Sequence, residues 1–267
     1  MAARKSNKSN LPMASPHAAA FPAELADELA GYARDVGATA DEITGGGWPF
    51  ISIRGGAFTL KQQQLDNPLR AIIVGVAHDN AYYKRAFDPD DNQGPDCTAV
   101  GLHKEKLAPP ENWPSREADN CMTCWANAWG SSPRGGRGKA CGNRVRLTIV
   151  PFYKGVDLAK VEGARLRIPT TSGPQFEIFK NEIKALNEGS VPVFAYVTEI
   201  GVEPDPKNTL KMTFKLLAAL PRELMGDVKR RIVEAQTPLL QVNDPSSDAP
   251  PIPKRKKGTK KAPGRGR

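Results

Sequence analysis

Histidine is nearly absent: the 267-residue chain has three, and one of them, His17, falls in a Ser/Asn/Ala/Pro-rich opening stretch. A Ser/His/Asp or Cys/His catalytic set has almost nothing to draw on, so no enzymatic activity is expected. No apolar run approaches the roughly 18–20 residues that cross a membrane. Met1-Ala2-Ala3-Arg4-Lys5-Ser6 leads into polar residues with no apolar signal core. A secreted or membrane-bound protein is not expected. Two glycine-bearing motifs also fail. Gly138-Lys139 is followed by Ala140 rather than Ser or Thr, and Pro133 stands where a phosphate-binding P-loop needs its first glycine. Asp88-x-Asp90-x-Asn92 begins like a calcium loop, but Gly94 comes one place late and Ala99 replaces the bidentate acid.

Cysteine is scarce too, yet its placement is informative. The four cysteines, Cys97, Cys121, Cys124 and Cys141, share one 45-residue window with the spacing C-x23-C-x2-C-x16-C. Isolated four-cysteine sets in chains without a secretory signal favour metal over disulfides. Tetrahedral Zn²⁺ takes four thiolates, and a C-x2-C turn offers two to one ion. Four thiolates leave no open position, so the expected zinc is structural, bracing a loop-rich insert with little core of its own. A standard ribbon has two knuckles and this chain has one. His103 in place of Cys97, or four unrelated buried thiols, are the alternatives.

The net charge of +9 is unevenly spread. Lys254 to Arg267 carries eight Lys/Arg and no acid, and Arg4, Lys5 and Lys8 add three more, so −2 remains for everything between. Within that body, Gly130 to Arg167 holds nine Lys/Arg against Asp157 and Glu162. A near-neutral body with one strongly cationic segment is the footprint of a groove for a phosphate backbone. A solvated face of alternating charge is the plainer reading.

The pattern of residues predicts a helix over Pro22–Val36, a strand over Trp48–Arg54 turning at Gly55-Gly56 into Ala57–Lys61, and a buried central strand over Leu69–Ala77. An insert over residues 88–143 reads as loop, rich in Pro, Asn and Asp. Arg144–Val150 alternates Val145, Leu147 and Ile149 with Arg144, Arg146 and Thr148, which predicts one apolar and one cationic face. Ala164–Ile168 repeats the scheme. An amphipathic helix is expected over Gly173–Asn187, with Phe176, Ile178, Phe179, Ile183 and Leu186 inward. A hairpin joins Val191–Val202 to Thr209–Leu217, and Pro221–Ala235 is a last helix. Residues 1–20 and 238–267 are too polar or too rich in Pro and charge to fold. The expected class is mainly β with flanking helices (α+β). The economical architecture is an OB-like antiparallel barrel over 21–237, carrying the zinc insert.

Single-strand binders combine a cationic groove with aromatic stacking platforms. The candidates for phosphates are Arg134, Arg137, Lys139, Arg144 and Arg146. The candidates for base stacking are Trp125, Trp129, Tyr82 and Tyr153, with core packing as the alternative for each. If Tyr82-Tyr83 is strand, at most one of the two faces inward.

Several of these residues fall in a recurring order. Trp48-Pro49 lies near an early strand, Tyr82-Tyr83 before an acidic turn, then Pro95-Asp96-Cys97, Cys121-x-x-Cys124, Trp129-Gly130-Ser131 and Gly138-Lys139-Ala140-Cys141. Tyr196-Val197-Thr198 and Leu210-Lys211-Met212-Thr213-Phe214 form a late hairpin. The pattern, over about residues 45–235, resembles tailed-phage single-stranded DNA-binding proteins of the OB type with a zinc-ribbon-like insert. The resemblance implies sequence-independent binding of single-stranded DNA in phage replication or recombination, in the cytoplasm of a host cell, beside phage or host replication proteins. Many such binders end in an acidic tail that recruits partners, whereas this chain ends in Lys254-Arg255-Lys256-Lys257 and beyond, which suits extra phosphate affinity instead. The rival expectation is a zinc-ribbon transcription or host-takeover factor that docks on a protein such as RNA polymerase.

Overall fold

A computed structural model describes residues 28, 31, 47–85, 94–133, 135–186, 191–206 and 208–242. The expected arm 1–20, nearly all of the helix over Pro22–Val36, Arg134 and the tail beyond 242 lie outside the described residues.

The strands are β1 (Phe50–Arg54), β2 (Ala57–Leu60), β3 (Gln63–Gln64), β4 (Leu69–Tyr82), β5 (Cys97–Gly101), β6 (Cys141–Pro151), β7 (Ala164–Ile168), β8 (Tyr196–Asp205) and β9 (Thr209–Ala219). The helices are α1 (Gly173–Leu186) and α2 (Met225–Leu240). The strands form one sheet in the order β3-β2-β1-β7-β6-β4-β8-β9, with β5 also on β4. All pairings are antiparallel except β1 with β7. The sheet curls strongly into a half-barrel, and the described residues are mainly β with these two helices packed on it, which is consistent with the α+β class. It is larger than the six or seven strands expected.

β4 organises the sheet. Ala71, Ile72, Ile73 and Val74 are all buried, as a continuous apolar run covered on both faces demands. The strand does not stop at Ala77, where the apolar run ends. It continues to Tyr82 because its polar residues find partners: Asn80 O accepts from Thr98 Oγ1 at 3.0 Å, and Asp79 meets arginines. A register shift falls between Ile73 and Gly75. Gly75 is needed there for close approach. A Cβ at that position would lie 2.4 Å from Thr148 Oγ1 and 2.8 Å from Leu239 Cδ2 of α2. Gly75→Ala is expected to cost about 1–3 kcal/mol through overpacking, read as a lowered urea midpoint. An unchanged midpoint would show that the neighbours move aside freely.

β6 departs from its expected pattern. Val145, Leu147 and Ile149 do pack on the core, but Arg146 and Thr148 are buried as well, Arg146 to 1%. The reason is tertiary: the end of α2 lies over this face. Arg146 Nη1 donates to Leu239 O at 3.2 Å and Gln241 O at 2.6 Å. Its Nη2 and Nε reach Asp79 Oδ2 at 2.9 and 3.0 Å, and Arg167 Nε reaches the same oxygen at 2.8 Å. Phe50 lies beneath three guanidiniums, 4.0 Å from Arg165, 4.1 Å from Arg167 and 5.3 Å from Arg146. The expected phosphate contact at Arg146 is therefore corrected: this arginine is structural, and no phosphate reaches it while α2 is seated.

Both helices bury a 3.6-period stripe. In α1, Phe176 and Phe179 pack on Phe214 of β9 at 5.2 and 5.7 Å between ring centres. Ile178, expected inward, is 60% exposed, because two steps of 100° carry it round from Phe176. α2 buries Met225, Val228, Ile232, Ala235 and Leu239, so the folded chain continues past the expected boundary at 237. Pro238 is tolerated in its last turn. Among the described residues no helix is long and apolar enough to cross a membrane.

Candidate nucleic-acid interface

The insert is not all loop, because β5 pairs with the distal half of β4. That pairing aligns three residues across the sheet: Tyr82 stands opposite Cys97 on β5 and opposite Cys141 on β6. Residues directly opposite on neighbouring strands share a face. Cys97 and Cys141 are thus two strand spacings apart, about 9.5 Å, which is too far for a disulfide.

The knuckle closes over this row. Cys121 N–H donates to Leu107 O at 2.8 Å, and Met122 N–H donates to Asn120 Oδ1 at 2.7 Å. Asn127 Nδ2 donates to Cys121 O at 2.6 Å, while Cys124 leads into a 3-10 turn over Trp125–Asn127. All four cysteines are free thiols and line one small cavity of about 20 Å³, with Asn80, Tyr82, Glu117 and Ala126 among the other walls. That is room for one small occupant, such as a water or an ion. His103 is exposed and lines no part of the cavity.

Burial pushes the Cys121 thiol up to about 11 and the Cys141 thiol up to about 12, and the neighbouring sulfurs push the same way. Burial also raises Cys97. At neutral pH these groups stay protonated without a cation. A divalent ion among them would reverse that balance, since a coordinated thiol is deprotonated outright. Two contacts already favour thiolate: Glu117 N–H donates to the Cys97 sulfur and the Asn80 side chain to the Cys121 sulfur. The donor set and its hydrogen bonds suit zinc. Among the described residues, however, no three His, Cys, Asp or Glu side chains are drawn together tightly enough to hold a metal as they stand.

Around the cavity runs an aromatic rim. Trp129 is 79% exposed and Trp125 50%. Lys139 Nζ sits 5.0 Å over the Trp129 ring and donates to Asn127 Oδ1 at 2.9 Å. Trp125 meets Tyr82 edge to face at 5.4 Å, and its Nε1 donates to Glu117 Oε2 at 3.0 Å. Tyr83 is exposed, with the Arg144 guanidinium 5.9 Å from its ring. Arg137 is exposed on a loop tied at its base by Gly130 N–H to Gly138 O at 3.0 Å. Within that loop Gly135 and Gly136 take φ of 75° and 78°, which side chains rarely adopt.

The structure thus brings Trp125, Trp129, Arg137, Lys139 and Arg144 to one end of the sheet. Two expected members do not belong there. Tyr82 is only 9% exposed and serves as the wall against which Trp125 leans, so its expected stacking role is corrected and its neighbour Tyr83 takes the exposed place. Tyr153 is exposed but follows the far end of β6, about 33 Å away at 3.3 Å per residue. Sequence reasoning passed over Glu117, Asn80 and Asn127. Their types are ordinary, and only the fold gives them meaning. Strand alternation would not have found Tyr83, which lies one residue past the end of β4 and would share a face with the buried Ala81.

No protein-family model matches this chain, and no curated protein or solved structure matches it.

Proposed function

We propose that this protein binds single-stranded DNA without sequence preference, in the replication or recombination of a phage within its host cell, and that its four cysteines hold one structural zinc. The observation that carries the reading is the rim itself: exposed aromatic rings paired with cations, set on and beside one thiol-lined insert. Bases stack on aromatic faces and phosphates follow the cations in single-strand binders.

The strand arrangement supports an OB-like architecture for the core. Taken in chain order, β4, β6, β7, β8 and β9 lie side by side as β7-β6-β4-β8-β9, with α1 between the third and fourth. An OB barrel is five-stranded and partly open, and its loop between first and second strands is one of those that bind oligonucleotides. Here that connection, between β4 and β6, is the insert.

In this reading Trp125, Trp129 and Tyr83 stack bases, while Arg137, Lys139 and Arg144 hold phosphates. Cys97, Cys121, Cys124 and Cys141 would ligate zinc, which supplies charge to keep the thiolates ionised and holds the rim in place. Fluorescence anisotropy with labelled oligo-dT tests it. Binding should weaken steeply with salt, with a slope near −0.7 per phosphate neutralised. Trp129→Ala should cost about 1–3 kcal/mol of affinity. Equal affinity for duplex and single strand would sink the proposal. Capture of RNA polymerase by a protein that ignores oligo-dT would put the transcription-factor reading in its place.

A further inference from the structure

Glu117 stands at the join between the thiol cavity and the aromatic rim. Its side chain is largely covered, at 13% exposure, and both carboxylate oxygens are engaged. Oε2 accepts the Trp125 Nε1 proton at 3.0 Å, and Oε1 accepts Lys84 Nζ at 3.0 Å. Its backbone N–H donates to the Cys97 sulfur. Trp125 is braced on a second side by an edge-to-face contact with Tyr82, whose strand neighbours are Cys97 and Cys141. The indole is therefore held at two points, both of them anchored beside the thiols.

An indole has one polar proton and no acceptor. With that proton spent on Glu117, Trp125 offers a ligand only its π-face. Every base has a π-face, so stacking alone does not distinguish them. An indole turned the other way would present a donor to base acceptors and would favour some bases over others. We infer that Glu117 is the positioning residue that fixes Trp125 as a base platform indifferent to base identity. This rests on the single-strand reading above and adds how that site avoids sequence preference. Lys84 balances the carboxylate, so the platform lies beside a neutral pair, and phosphates are left to the Arg137, Lys139 and Arg144 side.

Two readouts test the inference, one without DNA. In ¹H–¹⁵N spectra of the full chain the Trp125 indole resonance is identified by its loss in Trp125→Phe. In the native protein it should carry the downfield shift of a hydrogen bond to a carboxylate. Glu117→Ala should move it to the range of a free indole and weaken oligo-dT binding about tenfold. The spread of affinities over dT, dC and dA homopolymers should widen from about threefold to about tenfold, the reach of one hydrogen bond. Glu117→Gln keeps an acceptor oxygen and should recover most of the shift and the narrow spread. If Glu117→Ala does not fold, a free-indole resonance in Glu117→Gln overturns the inference by itself. An unmoved resonance in folded Glu117→Ala also overturns it, whether or not DNA binds. Native protein that ignores every homopolymer overturns the single-strand reading instead, and the indole shifts tell that failure apart.

Discussion

Asp79→Asn is expected to destabilise the protein by about 3–5 kcal/mol, the cost of breaking a buried ion pair from one side. Asp79 is 2% exposed, and one of its oxygens lies within 3.0 Å of both Arg146 and Arg167. Burial alone would raise its carboxyl, but Arg146 and then Arg167 pull it down further, and the net position is below the usual carboxylate value. The amide keeps the shape and removes the charge that the two guanidiniums share. For a domain of this size the loss should lower the melting temperature by about 10 °C. The ionised carboxylate stabilises the fold fully above its unfolded value of about 3.9. That contribution fades as pH falls through the lower folded value, so native and Asp79→Asn proteins should converge in stability in strong acid. A double variant with Arg146→Met should cost less than the two single changes together. A loss under 0.5 kcal/mol for Asp79→Asn would show that the pair is not what seats α2.

This ion pair also marks where the sequence could be read and where it could not. The local rules worked where one strand's own residues set its environment. Gly55-Gly56 at the β1–β2 turn, the bounds of β7 and the β8–β9 pairing all follow from period-2 alternation and turn chemistry. They failed where a distant element changed the environment. Alternation along β6 correctly put Arg146 opposite the apolar face, but nothing local said that α2, some 90 residues on, covers the other side. β5 was missed for a related reason: Cys97-Thr98-Ala99-Val100-Gly101 is short and follows Pro95-Asp96, and it becomes strand only because β4 runs on past its apolar stretch to meet it. That the four cysteines line one cavity accords with their shared window in the sequence. The second layer was not legible there, because Asn80, Asn127 and Glu117 are brought to the thiols by strand register and by a turn, not by any motif.

On the proposed zinc reading, removal of metal should have the most selective effect of any change, and the packing says why. The main core draws on β1, β2, β4, β6 to β9 and both helices, and includes no residue between Ala77 and Val145. The insert's own buried clusters are two groups of three: Tyr82, Cys97 and Ala126, and Ala99, Leu107 and Cys121. Two of those six residues are cysteines and a third, Leu107, accepts the Cys121 backbone N–H, so beyond the β4–β5 ladder the insert is held largely by its thiols and their neighbours. Apparent binding energies of structural zinc reach about 10–16 kcal/mol in small zinc-finger peptides, far more than such clusters supply. Purified protein is therefore expected to contain one zinc per chain. A strong chelator, or Cys121→Ser with Cys124→Ser, should raise hydrogen exchange across residues 97–141 while the half-barrel stays protected. Oligo-dT affinity should fall at least about tenfold, as the stacking platforms lose their mounting. Acid should release the metal in the same way, since burial already favours the protonated thiols at Cys121 and Cys141 and ligation must displace those protons. A chelated protein with an unchanged exchange pattern would refute the zinc. A protein that loses its metal and its insert structure but still binds oligo-dT would move the binding face elsewhere, to the tyrosine end of β6.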